Sequence, residues 1–107
     1  MNRRERLEAM LSDDPDDAFL KYALAMQCAS DGDEAAGIRH FEELLDRDPH
    51  YVPAYFQVAQ LLARQGAVDR SKQLLGHGIE VARRAGDDHA EGEMRGFLEQ
   101  LSGDLED

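Results

Sequence analysis

The chain predicts an all-α fold of about six helices stacked as antiparallel pairs, and three observations carry that prediction. Residues 48–66, DPHYVPAYFQVAQLLARQG, repeat the pattern of residues 14–32, DPDDAFLKYALAMQCASDG, so that Pro15 and Pro49 stand 34 residues apart, as do Gly32 and Gly66. A period of this length holds one helix, a turn and a second helix. Apolar residues recur at i, i+3, i+4 and i+7 along most of the chain, and no run alternates with the period of two that a half-buried strand needs. With 107 residues and 12.0 kDa the chain is read as a single domain. It divides into an N-terminal docking helix over 2–11, repeat one over 17–49, repeat two over 52–85 and a C-terminal capping helix over 88–101.

Residues 2–11 place Leu7, Met10 and Leu11 on one narrow apolar stripe. A helix this short nucleates poorly and needs a neighbour to dock on. The acidic run Asp13-Asp14-Pro15-Asp16-Asp17 breaks it and supplies carboxylates to the next helix start, where unpaired N–H groups and the positive dipole end favour them. A calcium site is the sharper reading of that run, but the oxygen spacing and turn glycine of a calcium loop are missing. The first helical pair spans 17–30 and 33–47, with Gly32 between the helices and Asp31 or Asp33 as the cap of the second. Leu20, Leu24 and Cys28 recur every four residues on the first helix; Ile38, Phe41, Leu44 and Leu45 form the stripe of the second.

The second pair spans 52–64 and 68–84. Tyr55, Val58, Ala59 and Leu62 mark its first helix, and Pro53 falls in the first turn, where its missing N–H does no harm. The partner helix carries Leu74, Leu75, Ile79 and Ala82 but also Gly76 and Gly78, each costing about 1 kcal/mol relative to Ala in a helix interior. That cost predicts a neighbouring helix approaching closely over Gly78. Gly86 ends the helix, and Asp87 or Asp88 starts a last one with Met94, Phe97, Leu98 and Leu101 on its stripe. Residues 102–107 read as a short acidic tail, frayed at the end.

Composition narrows the function classes. A net charge of −11 and a pI near 4.6 repel phosphate backbones and anionic lipid surfaces, which argues against nucleic acid and membrane partners. The chain shows no apolar run of membrane-spanning length and no leader-like N-terminus, so the expected location is the cytoplasm. Cys28, the single cysteine, forms no disulfide framework and is expected to be a buried inert thiol.

With two units aligned, the chain resembles the tetratricopeptide repeat family over residues 15–83, with half-repeats on either side. The family places Trp, Leu-Gly and Tyr on its first helix and Ala, Phe and Pro on its second. The first unit holds Lys21, Leu24-Ala25, Cys28, Gly37, Phe41 and Pro49 at those places, and the second holds Tyr55, Val58-Ala59, Leu62, Ser71, Leu75 and Arg83. Lys21 and Arg83 depart from the pattern; the latter predicts that the last helix of repeat two runs on toward Gly86. Leu7 and Leu11 lie 34 before Phe41 and Leu45, which makes the N-terminal helix the second half of a lost unit. The resemblance implies a right-handed superhelical stack whose first helices line a concave groove.

Catalysis finds no footing in this sequence, and no catalytic residue, cofactor or metal ligand is assigned. His40, His50, His77 and His89 show neither HxxxH nor HExxH spacing, and no glycine-rich phosphate loop is present. Binding is the stronger reading. Phe19, Tyr22 and Met26 fall at i, i+3 and i+7 beside the core stripe of their helix, with Phe56 and Gln60 on the counterpart. The resemblance implies that these five residues contact a partner's peptide or helix; cover by neighbouring terminal helices is the alternative. A clamp for a C-terminal carboxylate is disfavoured, because Tyr22, Met26 and Gln57 stand where such a clamp has Lys, Asn and Arg. The expected partner is an apolar or aromatic segment with basic character, drawn to the acidic rim. The competing class is a self-associating structural protein, a homodimer using the same apolar face.

Overall fold

The computed structural model describes residues 1–103, in six helices: α1 (Arg3–Asp13), α2 (Ala18–Ser30), α3 (Glu34–Arg47), α4 (Val52–Arg64), α5 (Val68–Ala85) and α6 (Asp88–Gly103). Most of the expected acidic tail, residues 104–107, lies outside the described residues. The helices group into two compact units, one of Met1–Tyr51 and one from Val52 onward. In the first, α1 packs on α2 and α2 on α3; in the second, α4 packs on α5 and α6 returns across both.

Helix ends follow from local chemistry. Asp17, Asp33 and Asp87 each accept a backbone N–H three residues ahead, from Leu20, Ala36 and Ala90. The acidic segment before α2 is thus a cap. Gly32, Gly66 and Gly86 have φ of 88°, 84° and 74°, the left-handed region that glycine enters without a Cβ penalty. After each, the next N–H reaches back to a carbonyl of the last turn: Asp33 to Cys28, Ala67 to Leu62 and Asp87 to Ala82, all at 2.9 Å. Ala67 stands where Asp33 does in the first unit, and α5 begins with no side-chain cap.

In the first unit Leu7, Leu20, Leu24, Cys28 and Ala36 form one buried cluster, with Leu11 and Ala23 against it. Met10, expected on the same stripe, is 53% exposed. α1 meets its unit mainly through α2, and one main neighbour covers one row of side chains rather than a broad stripe. Phe41, Leu44 and Ala25 are fully enclosed where α3 crosses α2.

Two positions show how the repeats differ within the same register. A Cβ on Gly37 would stand 3.2 Å from the Ala25 carbonyl oxygen; one period later Ser71 is buried and its hydroxyl donates to the Ala59 carbonyl at 2.7 Å. Small residues let the two helices of each pair approach, and the serine adds a hydrogen bond across that approach. The second position is Gly78. A Cβ there would lie 2.6 Å from Met94 Sδ and 2.6 Å from Tyr55 Cβ, so α4 and α6 both close over it, as the glycine's helix cost predicts. One period earlier the pair reverses: Lys21 replaces Tyr55 and Leu44 replaces Gly78, and both line a shallow depression of about 450 Å³.

Candidate partner-binding site

The α2 side chains sort by the helical spacing that places them. Phe19 is 68% exposed and Met26 37%, two turns apart on the same side. Tyr22 lies between them, half-buried. Its ring centroid is 5.8 Å from that of Phe41, edge-on at 61°, and 5.5 Å from that of Tyr51, tilted at 44°. Aromatic pairs at such separations are favourable beyond their buried area, so Tyr22 is held by its unit while it fills the surface between Phe19 and Met26. The structure therefore brings Phe19, Tyr22 and Met26 onto one face of α2.

On α4 the two remaining candidates are partly covered. Phe56 is half-buried, its ring 5.8 Å from Phe97 of α6 in an edge-on contact. Gln60 borders a shallow pocket of about 300 Å³ with Ala63, Arg64, Phe97, Gln100 and Leu101. The apolar wall of that pocket comes from α6, whose Phe97, Leu98 and Leu101 are half-buried while Met94 is enclosed.

Tyr51 is the aromatic residue of this region that helical spacing did not single out. It sits in the connection before α4, and its hydroxyl titrates higher than usual because of burial, then because of the Asp48 and Asp17 carboxylates nearby. Its one sequence signal is an aromatic residue directly before the Val52-Pro53 helix start.

Acidity dominates the first unit, with 13 Asp and Glu against six Lys and Arg in residues 1–51. Two of these cations pair with carboxylates: Arg47 Nη1 meets Asp16 Oδ1 at 3.0 Å, and Arg4 Nη1 meets Asp33 Oδ2 at 3.1 Å. The Ala36 N–H on one Asp33 oxygen, and then Arg4 on the other, hold this carboxyl below its usual range, and the Arg4 contact ties α1 to the start of α3.

The titratable groups inside the structure are placed for packing. Cys28 is fully enclosed, and burial pushes its thiol up, away from the reactive thiolate. Burial pushes His40 down. Glu80, on the surface of α5, is held at about 2 by hydrogen bonds from Arg83 and Arg84. Among the described residues no three His, Cys, Asp or Glu converge to hold a metal ion, and no helix is long and apolar enough to cross a membrane.

Comparison with known proteins gives one consistent result. A family model, the tetratricopeptide repeat, matches residues 29–90. A tetratricopeptide-repeat-containing protein of Pseudomonas aeruginosa is 29% identical over 97 residues, spanning 91% of this chain and 92% of that protein. The crystal structure of a tetratricopeptide repeat domain protein from Salinibacter ruber matches with a TM-score of 0.78 at 31% identity, over 81% of this chain and 97% of that one. The solution structure of a protein from Bordetella parapertussis matches with a TM-score of 0.83 at 30% identity, over 97% of this chain and 90% of that one. With two 34-residue helical pairs closed by the same glycines and a family match over more than half its length, the chain belongs to the tetratricopeptide repeat family, whose fold generally serves protein–protein interaction.

Proposed function

We propose that this protein is a non-enzymatic adaptor that receives a peptide or helix of another protein on the face of α2 that carries Phe19, Tyr22 and Met26. The observation that carries this reading is the exposure of Phe19 and Met26 on one side of a helix whose other sides are packed. Exposed apolar surface of this kind marks interaction sites, and aromatic residues and methionine are enriched at interface centres. Within the second unit, Phe56 and Gln60 of α4 are the corresponding candidates, and α6 leaves each partly accessible. The fit is to a partner with an apolar or aromatic contact strip and basic flanks, given the excess of carboxylates on this chain.

The test uses the residues whose removal costs the fold least. Tyr22 and Phe56 pack on neighbouring rings, so their truncation mixes binding with stability; Phe19 and Met26 do not. A photo-crosslinking residue at position 19 or, as control, at exposed Gln73 is compared in the parent and in Met26→Ser, with Phe19→Ser/Met26→Ser as a competitor. Crosslinks specific to position 19, weakened by Met26→Ser and displaced by parent protein but not by the double variant, are the expected result. Equal competition by the double variant removes this face from the binding surface. Sedimentation across concentration separates the self-association reading: a dimer abolished by the same two substitutions assigns the face to a second copy instead.

A further inference from the structure

Resting on that interaction reading, we propose that the aromatic end of the first unit, formed by Phe19, Tyr22 and Tyr51 beside the carboxylates of Asp17 and Asp48, seats an arginine side chain of the partner. The rings of Tyr22 and Tyr51 stand 5.5 Å apart and open at 44°, and Phe19, one turn before Tyr22, leaves most of its ring in solvent. Aromatic faces attract a cation held within about 6 Å of the ring centroid. The charge of the site has the matching sign. Asp48 accepts no side-chain hydrogen bond and forms no ion pair among the described residues, while Asp17 uses Oδ1 to cap α2 and keeps its second oxygen. Asp48 stands in the turn that leads to Tyr51, whose N–H donates to the Asp48 carbonyl at 3.1 Å, and Asp17 caps α2 two residues before Phe19. Arg47, the adjacent cation, is turned to Asp16, and Lys21, nearly opposite Phe19 by helical spacing, borders a depression that Asp48 also lines.

Arginine suits this combination better than lysine. Its guanidinium is planar, weakly hydrated and able to stack on a ring while its N–H fork reaches a carboxylate; an ammonium is a compact, strongly hydrated point charge. Met26, one turn beyond Tyr22, then takes an apolar residue of the same partner segment. The partner is thereby specified as an amphipathic segment with arginine next to its apolar strip.

Three short amphipathic helical peptides with one leucine strip and a polar face of arginine, citrulline or glutamate serve as probes. Binding is read by fluorescence anisotropy, and its place by the NMR signals of the Phe19, Tyr22 and Tyr51 rings. The arginine peptide is expected to bind about fivefold or more tighter than the citrulline peptide, with Phe19→Ser and Asp48→Asn each weakening it about threefold, the scale of an exposed cation–π or charge contact. Asp69→Asn and Glu99→Gln, which remove the same charge elsewhere, are expected to leave it unchanged. Equal binding of arginine and citrulline peptides, equal weakening by the remote substitutions, static ring signals, or no binding by any peptide overturns the inference. If arginine and citrulline peptides bind alike and both are lost in Phe19→Ser/Met26→Ser, the arginine seat falls while the interaction face stands.

Discussion

Replacing Gly78 with alanine sets two known effects against each other at one atom. Alanine gains about 1 kcal/mol over glycine in a helix interior. Against that, the new methyl would stand 2.6 Å from Met94 Sδ, 2.6 Å from Tyr55 Cβ and 2.9 Å from Tyr55 Cγ, where ordinary contact begins at 3.4 Å. The methionine sulfur sits on a flexible chain and can swing away, but the tyrosine Cβ is fixed to the α4 backbone. α5 therefore withdraws from α4 by most of an ångström, an overpacking strain of about 1–3 kcal/mol. The rigid contact places Gly78→Ala in the upper part of that range, a net loss of about 1–2 kcal/mol after the helix gain. Gly76→Ala is the internal control. It lies on the same helix two residues earlier, its added methyl meets nothing within 4 Å, and it keeps the gain of about 0.5–1 kcal/mol undiminished. Urea unfolding followed by helical circular dichroism should move the two midpoints in opposite directions, about 0.5–3 M apart for a slope of about 1–3 kcal/mol/M. Midpoints that move together, in either direction, refute the argument that α4 and α6 close on Gly78.

Three further outcomes are expected. Ala67→Asp should stabilise the protein by about 1 kcal/mol by denaturant unfolding, because Ala67 already has the backbone of Asp33 (φ −86°, ψ 61° against −94°, 71°) and lacks the side chain that caps α3. Phe41→Ala should cost about 3–5 kcal/mol, since the ring is fully enclosed and also supports Tyr22; a cost below about 1 kcal/mol would place it outside the core. His40 titrates below its usual value because burial disfavours the imidazolium, with Arg39 adding to the shift and Glu43 opposing it. The unfolded chain then takes up this proton first, so the stabilising contribution is present above the ordinary histidine pKa and is lost as pH falls through the folded value. His40→Gln should flatten the stability profile across that window and leave it unchanged at pH 8.

Helix starts and stops were the most legible part of the sequence because their causes are local. Gly32, Gly66 and Gly86 close α2, α4 and α5 with positive φ, and Asp17, Asp33 and Asp87 cap α2, α3 and α6, all within a few residues of the signal. The close approach over Gly78 was legible too, through the propensity cost that only packing offsets. Side-chain cover was less so. Periodicity names a face but not its neighbour, which is why Met10 shares a stripe with Leu7 and yet stays exposed. The same limit applies to Phe56, whose ring meets Phe97 only because α6 returns across α4. Tyr51 escaped notice for a different reason: it lies outside every helical run, and its contact with Tyr22 depends on how the connection folds back.

The exchange of Tyr55 over Gly78 for Lys21 beside Leu44 makes the two hairpins chemically distinct locks on a common backbone. During folding, α2 and α5 each offer an apolar stripe of helical period, as do α4 and α3. Pairing α4 with α3 would press a tyrosine ring onto leucine, where the native partner offers no side chain at all. Pairing α2 with α5 would lay a lysine stem over a bare glycine and leave the gap unfilled. Each wrong hairpin is penalised by shape, one by excess and one by deficit, so the chain carries its own instruction for which helix finds which. Exchanging single helices between the repeats therefore breaks both locks at once, and the second lock also needs Met94 of α6, which closes over Gly78 beside Tyr55.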